Sequence, residues 1–379
     1  MKQYPFLDLG LANKPIENEL KNATCKVIES GRYLHGNETH MLEQEVASKC
    51  ETAFCVGVSN GLDALKLIFR AYKELGALND GDKVIVPANT FIASVLSISD
   101  NNLIPVLCDP SVLTMNLDPD LIETLIDDKV KAILPVHLYG TPCWSEKLKQ
   151  IIKENNLLVI EDNAQAIGAK ASVSGLNGTL TTGGLGHASG ISFYPTKNLG
   201  GLGDAGAVLT NDKKLANTVK ALANYGADRR YHNIYKGYNC RIDEIQAAML
   251  RVKLSHLDEE TERRNAIAST YASHISHPLV CVPHTFPDTL QVWHQYVIRV
   301  KHRDEFRQYL ASHGVQTDIH YATPPHLQPC YTELSDCHLP VAEELANEVV
   351  SLPIAYPVTT DDAIEISKII NGFKAQSQY

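Results

Sequence analysis

Short runs of hydrophobic residues alternate with amphipathic segments through the first two thirds of the chain. The runs that predict buried strands are 83–86, 104–108, 132–136 and 157–160. Segments with a helical pattern, 91–99 and 145–155, lie between them. Strands that alternate with helices at this spacing predict βα units on a largely parallel sheet that is buried on both faces. We therefore predict a large α/β domain, which we assign to residues 1–250.

The pattern changes near Arg241. Apolar residues then recur every three or four positions over 242–256, which predicts a long helix. The elements predicted beyond it are a charged helix over 259–271, a strand over 293–300, a helix over 303–313 and a strand over 317–321. This order predicts a smaller α+β domain, assigned to residues 251–379.

Charge and composition exclude several classes of protein. The 379 residues include 34 basic and 44 acidic ones, for a net charge of −10, and basic residues cluster only in short pairs such as Arg229-Arg230. A protein that binds a nucleic-acid backbone normally presents a concentrated basic face, so we expect no nucleic-acid partner. No stretch approaches the ~18 consecutive apolar residues of a membrane span, and the amino-terminus lacks the apolar core of a signal peptide. We therefore predict a cytoplasmic protein with no membrane partner.

Cysteine and histidine spacing argues against a metal site. The nine cysteines include no Cys-x-x-Cys pair, and the fifteen histidines show no His-Glu-x-x-His or comparable spacing. We expect reduced thiols and no bound metal.

Two glycine-containing segments are candidates for binding a phosphate. Residues 201–206 match the G-x-G-x-x-G pattern, but a strand-like run follows them, so we interpret them as a loop that joins two strands. The better candidate is Gly61, where a short strand ends and a helix begins. Free N–H groups and the helix dipole favour an anion there. The alternative is that Ser59 or Asn60 only caps the helix.

An aspartate and a lysine stand where ligand chemistry is expected. Asp162 follows directly on the buried run 157–160, at the strand end where open α/β sheets bind their ligands. Its alternative role is to cap the turn that follows. Lys197 follows the strand-like run 190–194 in a glycine-rich, largely uncharged stretch, which favours a lowered pKa and Schiff-base chemistry. The alternative is an exposed loop lysine.

Together these residues suit pyridoxal 5′-phosphate (PLP). That cofactor needs a lysine, a carboxylate beside its ring nitrogen, a site for its phosphate and a group that stacks on its ring. Lys197, Asp162, the turn at 59–62 and Phe91 can supply them. An ionised Asp162 would keep the ring nitrogen protonated and make the ring an electron sink.

Four motifs resemble those of the DegT/StrS-type sugar-nucleotide aminotransferases, a branch of the fold-type I PLP enzymes. They are PANTFIA at 87–93, IEDNAQA at 160–166, SFYPTKNL at 192–199 and GYNCRIDEIQAA at 237–248, in the order of the family. The similarity extends from 30–36 into the C-terminal part. It implies a large domain with a mostly parallel central sheet, a smaller α+β domain and a transaminase that works as a homodimer.

The resemblance assigns roles around the cofactor ring. Lys197 would bind the cofactor covalently and transfer the proton, and Asp162 would face the ring nitrogen. Gln165 would bond the ring hydroxyl, and Phe91 would stack on the ring. Lys197 also argues against the dehydratase members of the family, in which histidine replaces it.

The resemblance also places the phosphate. Gly61, Leu62 and Ser192 would hold it, with Asn239 reaching in from the partner subunit. The family often has Thr or Ser where Leu62 stands, so here only the backbone N–H of that residue can serve. The alternative for Asn239 is that it caps the helix that begins near Ile242.

For the substrate, the resemblance is closest to enzymes that aminate a 3-keto-6-deoxyhexose linked to dTDP, and the alternative is a 4-keto-6-deoxyhexose. L-Glutamate is the amino donor by family habit. Hydroxyl, imidazole and guanidinium groups suit sugar hydroxyls and phosphate oxygens. The candidate substrate-binding residues are Tyr33, Tyr194, Arg230, Tyr231, His320, Tyr321 and His326. The alternatives are a solvated basic turn at 229–232 and a purely structural loop at 320–328.

Two other classes fit less well. A PLP-binding transcriptional regulator would need a helix-turn-helix module, and the enzyme pattern leaves no room for one. An inactive relative would be expected to lose Lys197 or Asp162, and both are present.

Overall fold

The computed structural model describes residues 2–172, 179–286 and 289–375. Their strands, in chain order, are β1 (Phe54–Val58), β2 (Lys83–Pro87), β3 (Ile104–Cys108), β4 (Val130–Ile133), β5 (Leu158–Asp162), β6 (Lys170–Ser172), β7 (Thr179–Thr181), β8 (Ala188–Ser192), β9 (Gly206–Thr210), β10 (Ala227–Arg229), β11 (His232–Asn233), β12 (Val280–Cys281), β13 (Tyr296–Val300) and β14 (Val349–Leu352). Their α-helices are α1 (Leu9–Asn13), α2 (Glu17–Ser30), α3 (Asn37–Lys49), α4 (Gly61–Glu74), α5 (Ile92–Ser99), α6 (Pro119–Leu125), α7 (Glu146–Glu154), α8 (Lys213–Ala223), α9 (Glu244–Ser255), α10 (Leu257–His274), α11 (Arg303–Ser312), α12 (Pro340–Glu348) and α13 (Thr360–Asn371). Short 3-10 helices lie at Lys14–Ile16, Leu138–Gly140, Pro325–Leu327 and Thr332–Leu334.

A seven-stranded sheet forms the centre of the fold. Its strand order is β1-β9-β8-β5-β4-β2-β3. The strands β3, β2, β4, β5 and β8 pair in parallel, and β9 runs antiparallel to both of its neighbours. The carboxyl ends of β5 and β8 therefore lie side by side, with Asp162 opposite Gly190 in the register.

Helix α4 covers the centre of this sheet. Its inward face is apolar and fully buried at Ala64, Ile68 and Phe69, and it packs against β8, α5 and α8. Because this face is held by the sheet, the first turn of α4 is fixed beside the end of β8. On other faces of the large core, α2 and α3 pack against α9.

A second core surrounds the antiparallel sheet β12-β13-β14. Helix α10 packs Ile267 and Tyr271 into it and contacts α13. Tyr4, from the other end of the chain, lies in the same core and pairs with Val315. The boundary at 250 stays a prediction, since residues of the first segment contribute to the second core.

The predicted elements agree with most of the structure. The strands at 83–86 and 104–108 are β2 and β3, and the long helix is α9. Residues 201–205 lie in the loop that joins β8 to β9, and Gly206 is the first residue of β9. The strand predicted over 317–321 is wrong: the backbone pairs with Ser351 through Asp318 alone and then turns. One pair of hydrogen bonds cannot make a strand.

Neither a membrane-spanning helix nor a metal-binding cluster is found in the described part of the chain. No helix there combines the length and the apolar character that a membrane span needs. The same residues contain no group of three or more His, Cys, Asp or Glu side chains placed to hold a metal ion.

Candidate active site

Asp162 is the last residue of β5, and its backbone is locked into the sheet edge. Its N–H donates to Pro135 O at 2.9 Å, and its carbonyl accepts from His137 N at 3.1 Å. The buried carboxylate accepts from Ser94 Oγ at 2.7 Å and from Ala164 N at 3.1 Å. The second contact is a turn-capping bond, so the capping role exists alongside any role toward a ligand.

Lys197 lies in the loop after β8, where its backbone N–H donates to Tyr194 O at 2.8 Å. Burial lowers the pKa of the Lys197 amine to about 8, and the negative charge of Asp162 opposes part of this effect. With this pKa about a tenth of the Lys197 amine is unprotonated, and therefore nucleophilic, at pH 7, against less than about a thousandth at the usual lysine pKa. Burial also lowers the pKa of Lys253 to about 8, so a lowered pKa does not by itself identify the reactive lysine. What distinguishes Lys197 from Lys253 is the nearby charge of Asp162.

Asn198, the residue after Lys197, makes hydrogen bonds through both the nitrogen and the oxygen of its side-chain amide. Asn198 Nδ2 donates to Val292 O at 2.8 Å, and Asn198 Oδ1 accepts from His294 Nδ1 at 3.0 Å. His294 is buried, and burial holds its pKa well below the usual value. The segment that precedes β13 thus holds the lysine loop in place.

An aromatic and amide cluster lies beside Asp162. Gln165 is buried and donates from Nε2 to the Tyr321 hydroxyl at 2.9 Å, while its Oε1 accepts from Tyr139 N at 2.6 Å. The Phe91 and Tyr321 rings lie 5.4 Å apart at an interplanar angle of 38°. Phe91 is 54% exposed, so one face of its ring is free to stack on a ligand.

The start of α4 meets the end of β8 closely enough to require glycine. A Cβ on Gly61 would lie 2.6 Å from Ser192 Cβ. Asn60 caps the helix by accepting from Asp63 N at 2.8 Å. The N–H groups of Gly61 and Leu62 precede that capped position, and the first N–H groups of a helix have no acceptor within it. The Asn60 cap therefore leaves these two N–H groups available to an anion.

The substrate candidates fall into two groups. His320 and Tyr321 lie with the lysine: burial lowers the pKa of His320, with Asp318 opposing and Lys197 adding to the effect. His320 Nδ1 lies 2.8 Å from Ser351 Oγ. Tyr194 is exposed, one turn before Lys197.

The other candidates lie elsewhere on this chain. Arg230 contacts Tyr231, its guanidinium 4.8 Å from the ring centroid, in the exposed β10–β11 hairpin. His326 is buried, with Nε2 3.3 Å from Glu343 Oε1. Tyr33 is exposed, and its carbonyl accepts from Glu244 N at 3.0 Å. Among the described residues, no contact joins these side chains to Lys197 or Asp162, and their roles stay predictions.

Asn239 is exposed, and its backbone pairs with Asn224. It does not cap α9, because that helix begins at Glu244 with Asp243 as the capping residue. Its role toward a partner subunit stays a prediction.

Three positioning contacts could not be predicted from the sequence. Ser94 on α5 donates to Asp162, as described above. His137 accepts from Cys143 N at Nδ1, so its Nε2 carries the proton and donates to Glu161 at 2.8 Å. Both side chains are fully buried, directly behind Asp162. The sequence motif at 160–166 contains Glu161 but does not indicate its contact with His137.

Glu244 is the third. Its carboxylate accepts from the N–H groups of Gly36, Glu38 and Thr39 at 2.8–3.0 Å and so caps α3. Burial alone would raise the pKa of Glu244, but hydrogen bonds from these residues outweigh it and lower the pKa. This contact joins the segment at 30–36 to the start of α9, two of the motifs found in the sequence.

The cost of burying the Lys197 amine gives a prediction for the cofactor-free protein. A pKa of 10.5 in the unfolded chain against about 8 in the fold means that the protonated amine destabilises the fold by roughly 3 kcal/mol below pH 8. This cost shrinks as pH rises from 8 to 10.5 and is absent above that range. Lys197→Met should therefore be more stable than wild type at pH 7, with a difference that declines at higher pH. Denaturant unfolding at a series of pH values measures it, and a pH-independent difference would contradict the assignment.

These residues fit PLP. A desolvated lysine amine, a buried carboxylate fixed at the strand end, a helix start that only glycine can occupy and a half-exposed aromatic ring converge at one edge of the sheet. Such a set is what a PLP-dependent enzyme requires of its protein.

The chain belongs to the DegT/DnrJ/EryC1/StrS aminotransferase family, whose model matches residues 14–371. It is 47% identical to the dTDP-3-amino-3,6-dideoxy-alpha-D-galactopyranose transaminase of Aneurinibacillus thermoaerophilus, over 97% of this chain and 99% of the relative. It is 42% identical to the dTDP-3-amino-3,4,6-trideoxy-alpha-D-glucose transaminase of Streptomyces venezuelae, over 96% and 94%. The solved structure of DesV from S. venezuelae matches with a TM-score of 0.91 and 40% identity, over 98% of both chains. The predicted fold, the transaminase class and the PLP cofactor are thereby confirmed.

Proposed function

We propose that this aminotransferase transfers an amino group from L-glutamate to C3 of a dTDP-linked 3-keto-6-deoxyhexose. The observation that carries the proposal is the desolvated Lys197 amine beside the Asp162 carboxylate, at the sheet edge reached by Tyr321 and His320. The two relatives described above, named as dTDP-3-amino-sugar transaminases, support the choice of substrate. The 4-keto-6-deoxyhexose remains the alternative.

The chain would hold the cofactor through separate contacts. Lys197 would bind it covalently, Asp162 would face its ring nitrogen and Phe91 would stack on its ring. Gln165 would exchange its bond to Tyr321 for one to the ring hydroxyl. The N–H groups of Gly61 and Leu62, together with Ser192, would receive the phosphate at the positive end of the α4 dipole. When bound, PLP accepts the amino group of the donor and passes it to the keto carbon, with its ring withdrawing electrons.

Lys197 is placed to move the proton. Its pKa of about 8 lies near neutral pH, which suits a group that must both take and give a proton. The contacts of Asn198 with Val292 and His294 fix the backbone of the loop that carries Lys197. Movement of the amine would therefore come from rotation of the lysine side chain.

His320 and Tyr321 are proposed to contact the sugar. Tyr139 donates from its hydroxyl to the His320 carbonyl, and His320 is further held by Ser351. The lowered pKa of His320 favours a neutral imidazole, which can donate to or accept from a sugar hydroxyl. Tyr194, on the Lys197 loop, is proposed to line the same entrance.

The working unit is proposed to be a homodimer with composite sites. Asn239, Arg230 and Tyr231 lie on an exposed part of the chain, and Tyr231 is 87% exposed. Large exposed aromatic residues are common where subunits meet. Arg230 would then reach the nucleotide of the neighbouring subunit, and Tyr33 would lie at the same contact. His326, by contrast, would act on the substrate only through the shape of its loop.

The substrate proposal is tested by the second half of the reaction. Enzyme loaded with the pyridoxamine form of the cofactor is mixed with 3-keto and 4-keto sugars, each linked to dTDP, UDP or GDP. The dTDP-linked 3-keto sugar should restore the absorption of the aldehyde form at least about tenfold faster than any other. A faster reaction with the 4-keto sugar would favour the alternative instead.

A further inference from the structure

A relay of two hydroxyl groups ends on the Asp162 carboxylate. Thr90 Oγ1 lies 2.8 Å from Ser94 Oγ, and Ser94 Oγ lies 2.7 Å from Asp162 Oδ2. All three side chains are buried, and Ser94 is 1% exposed. Water cannot substitute for either hydroxyl at this depth.

The direction of the relay follows from the number of protons. An ionised carboxylate only accepts hydrogen bonds, so Ser94 must donate its single proton to Asp162. The Ser94 oxygen is then left to accept, and Thr90 donates to it. Hydrogen bonds in such a chain strengthen one another, and a bond to a charged group is stronger than one between neutral groups.

We infer that Ser94 is a positioning residue that, through its hydrogen bond, holds the Asp162 carboxylate aimed at the ring nitrogen of the cofactor, with Thr90 supporting it. The inference rests on the proposed role of Asp162. Ser94 has the geometry for this because it lies in the first turn of α5, directly after the motif that carries Phe91. One helix start thus serves both the face of the ring and the carboxylate at its edge.

Other groups around Asp162 must be considered in a pH experiment. Lys197 and Tyr321 face the carboxylate, and the charge of Lys197 helps to lower the pKa of His320. All three remain in a Ser94 variant, so a shift that the control variant does not share reports the lost hydroxyl. Ser97 offers a matched control on the same helix, since it is fully buried and donates to Ser94 O rather than to Asp162.

The experiment measures how much PLP the holoenzyme retains after dialysis at a series of pH values. Ser94→Ala should lose PLP at a midpoint about one pH unit higher than wild type, which corresponds to a tenfold weakening of the ionised state, because a carboxylate without its donor protonates more readily. Thr90→Val should shift in the same direction by less. Ser94→Thr, which keeps the hydroxyl, and Ser97→Ala should follow wild type. Circular dichroism and thermal unfolding of each variant verify folding.

Two results would overturn parts of this scheme separately. If Asp162→Asn abolishes the transition but Ser94→Ala and Ser97→Ala share the wild-type midpoint, Ser94 has no role toward Asp162 and the proposed function stands. If Asp162→Asn keeps the wild-type midpoint, the role of Asp162 itself is wrong, and the inference about Ser94 is overturned with it.

Discussion

Lys197→Ala should lower kcat by about 10³-fold or more, because it removes both the covalent anchor of the cofactor and the group that transfers the proton. Loss of the anchor has its own readout. Borohydride treatment of wild type should fix PLP to the peptide that contains Lys197, as seen by mass spectrometry, whereas the variant should release all of its cofactor.

Lys253 is the matched control for that substitution. It lines the same cavity as Lys197, and burial lowers its pKa to about 8 as well, but Asp162 does not act on it. Lys253→Ala should therefore keep wild-type kcat and the same borohydride product. If Lys197→Ala retained near wild-type turnover at saturating substrate, the role given to Lys197 would be incorrect.

Asp162→Asn should retain part of the cofactor yet lose about 10²-fold or more in kcat. The amide is nearly isosteric and can still accept from Ala164 N, so the turn after β5 is preserved. It carries no charge, however, and so cannot stabilise a protonated ring nitrogen in a buried site. Steady-state kinetics, with cofactor content measured for each preparation, separate the two effects. Equal rates for variant and wild type would leave Asp162 with its capping role alone.

Much of the fold was predictable because parallel strands are buried on both faces. After Lys83, the residues of β2 and all residues of β3 are apolar, so these runs stand out from the amphipathic helices on either side. Asp162 is recognisable at a strand end for the same reason, since the apolar residues of β5 stop at Ile160 and a polar motif follows.

Contacts between distant segments were not predictable in this way. The packing of Tyr4 beside Val315 depends on how the two ends of the chain meet, which no local pattern reports. The strand expected over 317–321 failed for a related reason. Its alternation of side chains is compatible with a strand, but only Asp318 finds a partner on β14.

The residues of the site likewise differ in whether local sequence reveals them. Lys197 and Asp162 could be singled out from their neighbours in sequence, whereas Ser94 and His294 could not. Ser94 is one of several serines on α5, and only the packing of that helix shows that its hydroxyl meets Asp162. His294 reaches Asn198 across 96 positions, because the strand that follows it returns to the second core.

The measurement that tests the central claim most directly is the fate of labelled nitrogen. The holoenzyme is incubated with L-[¹⁵N]glutamate and a dTDP-linked 3-keto-6-deoxyhexose, and the sugar product is examined by NMR. We expect ¹⁵N bonded to C3 of the sugar, together with one equivalent of 2-oxoglutarate, and no labelled sugar with Lys197→Ala. Recovery of unaminated sugar from the wild-type enzyme, with a 4-keto sugar aminated under the same conditions, would contradict it.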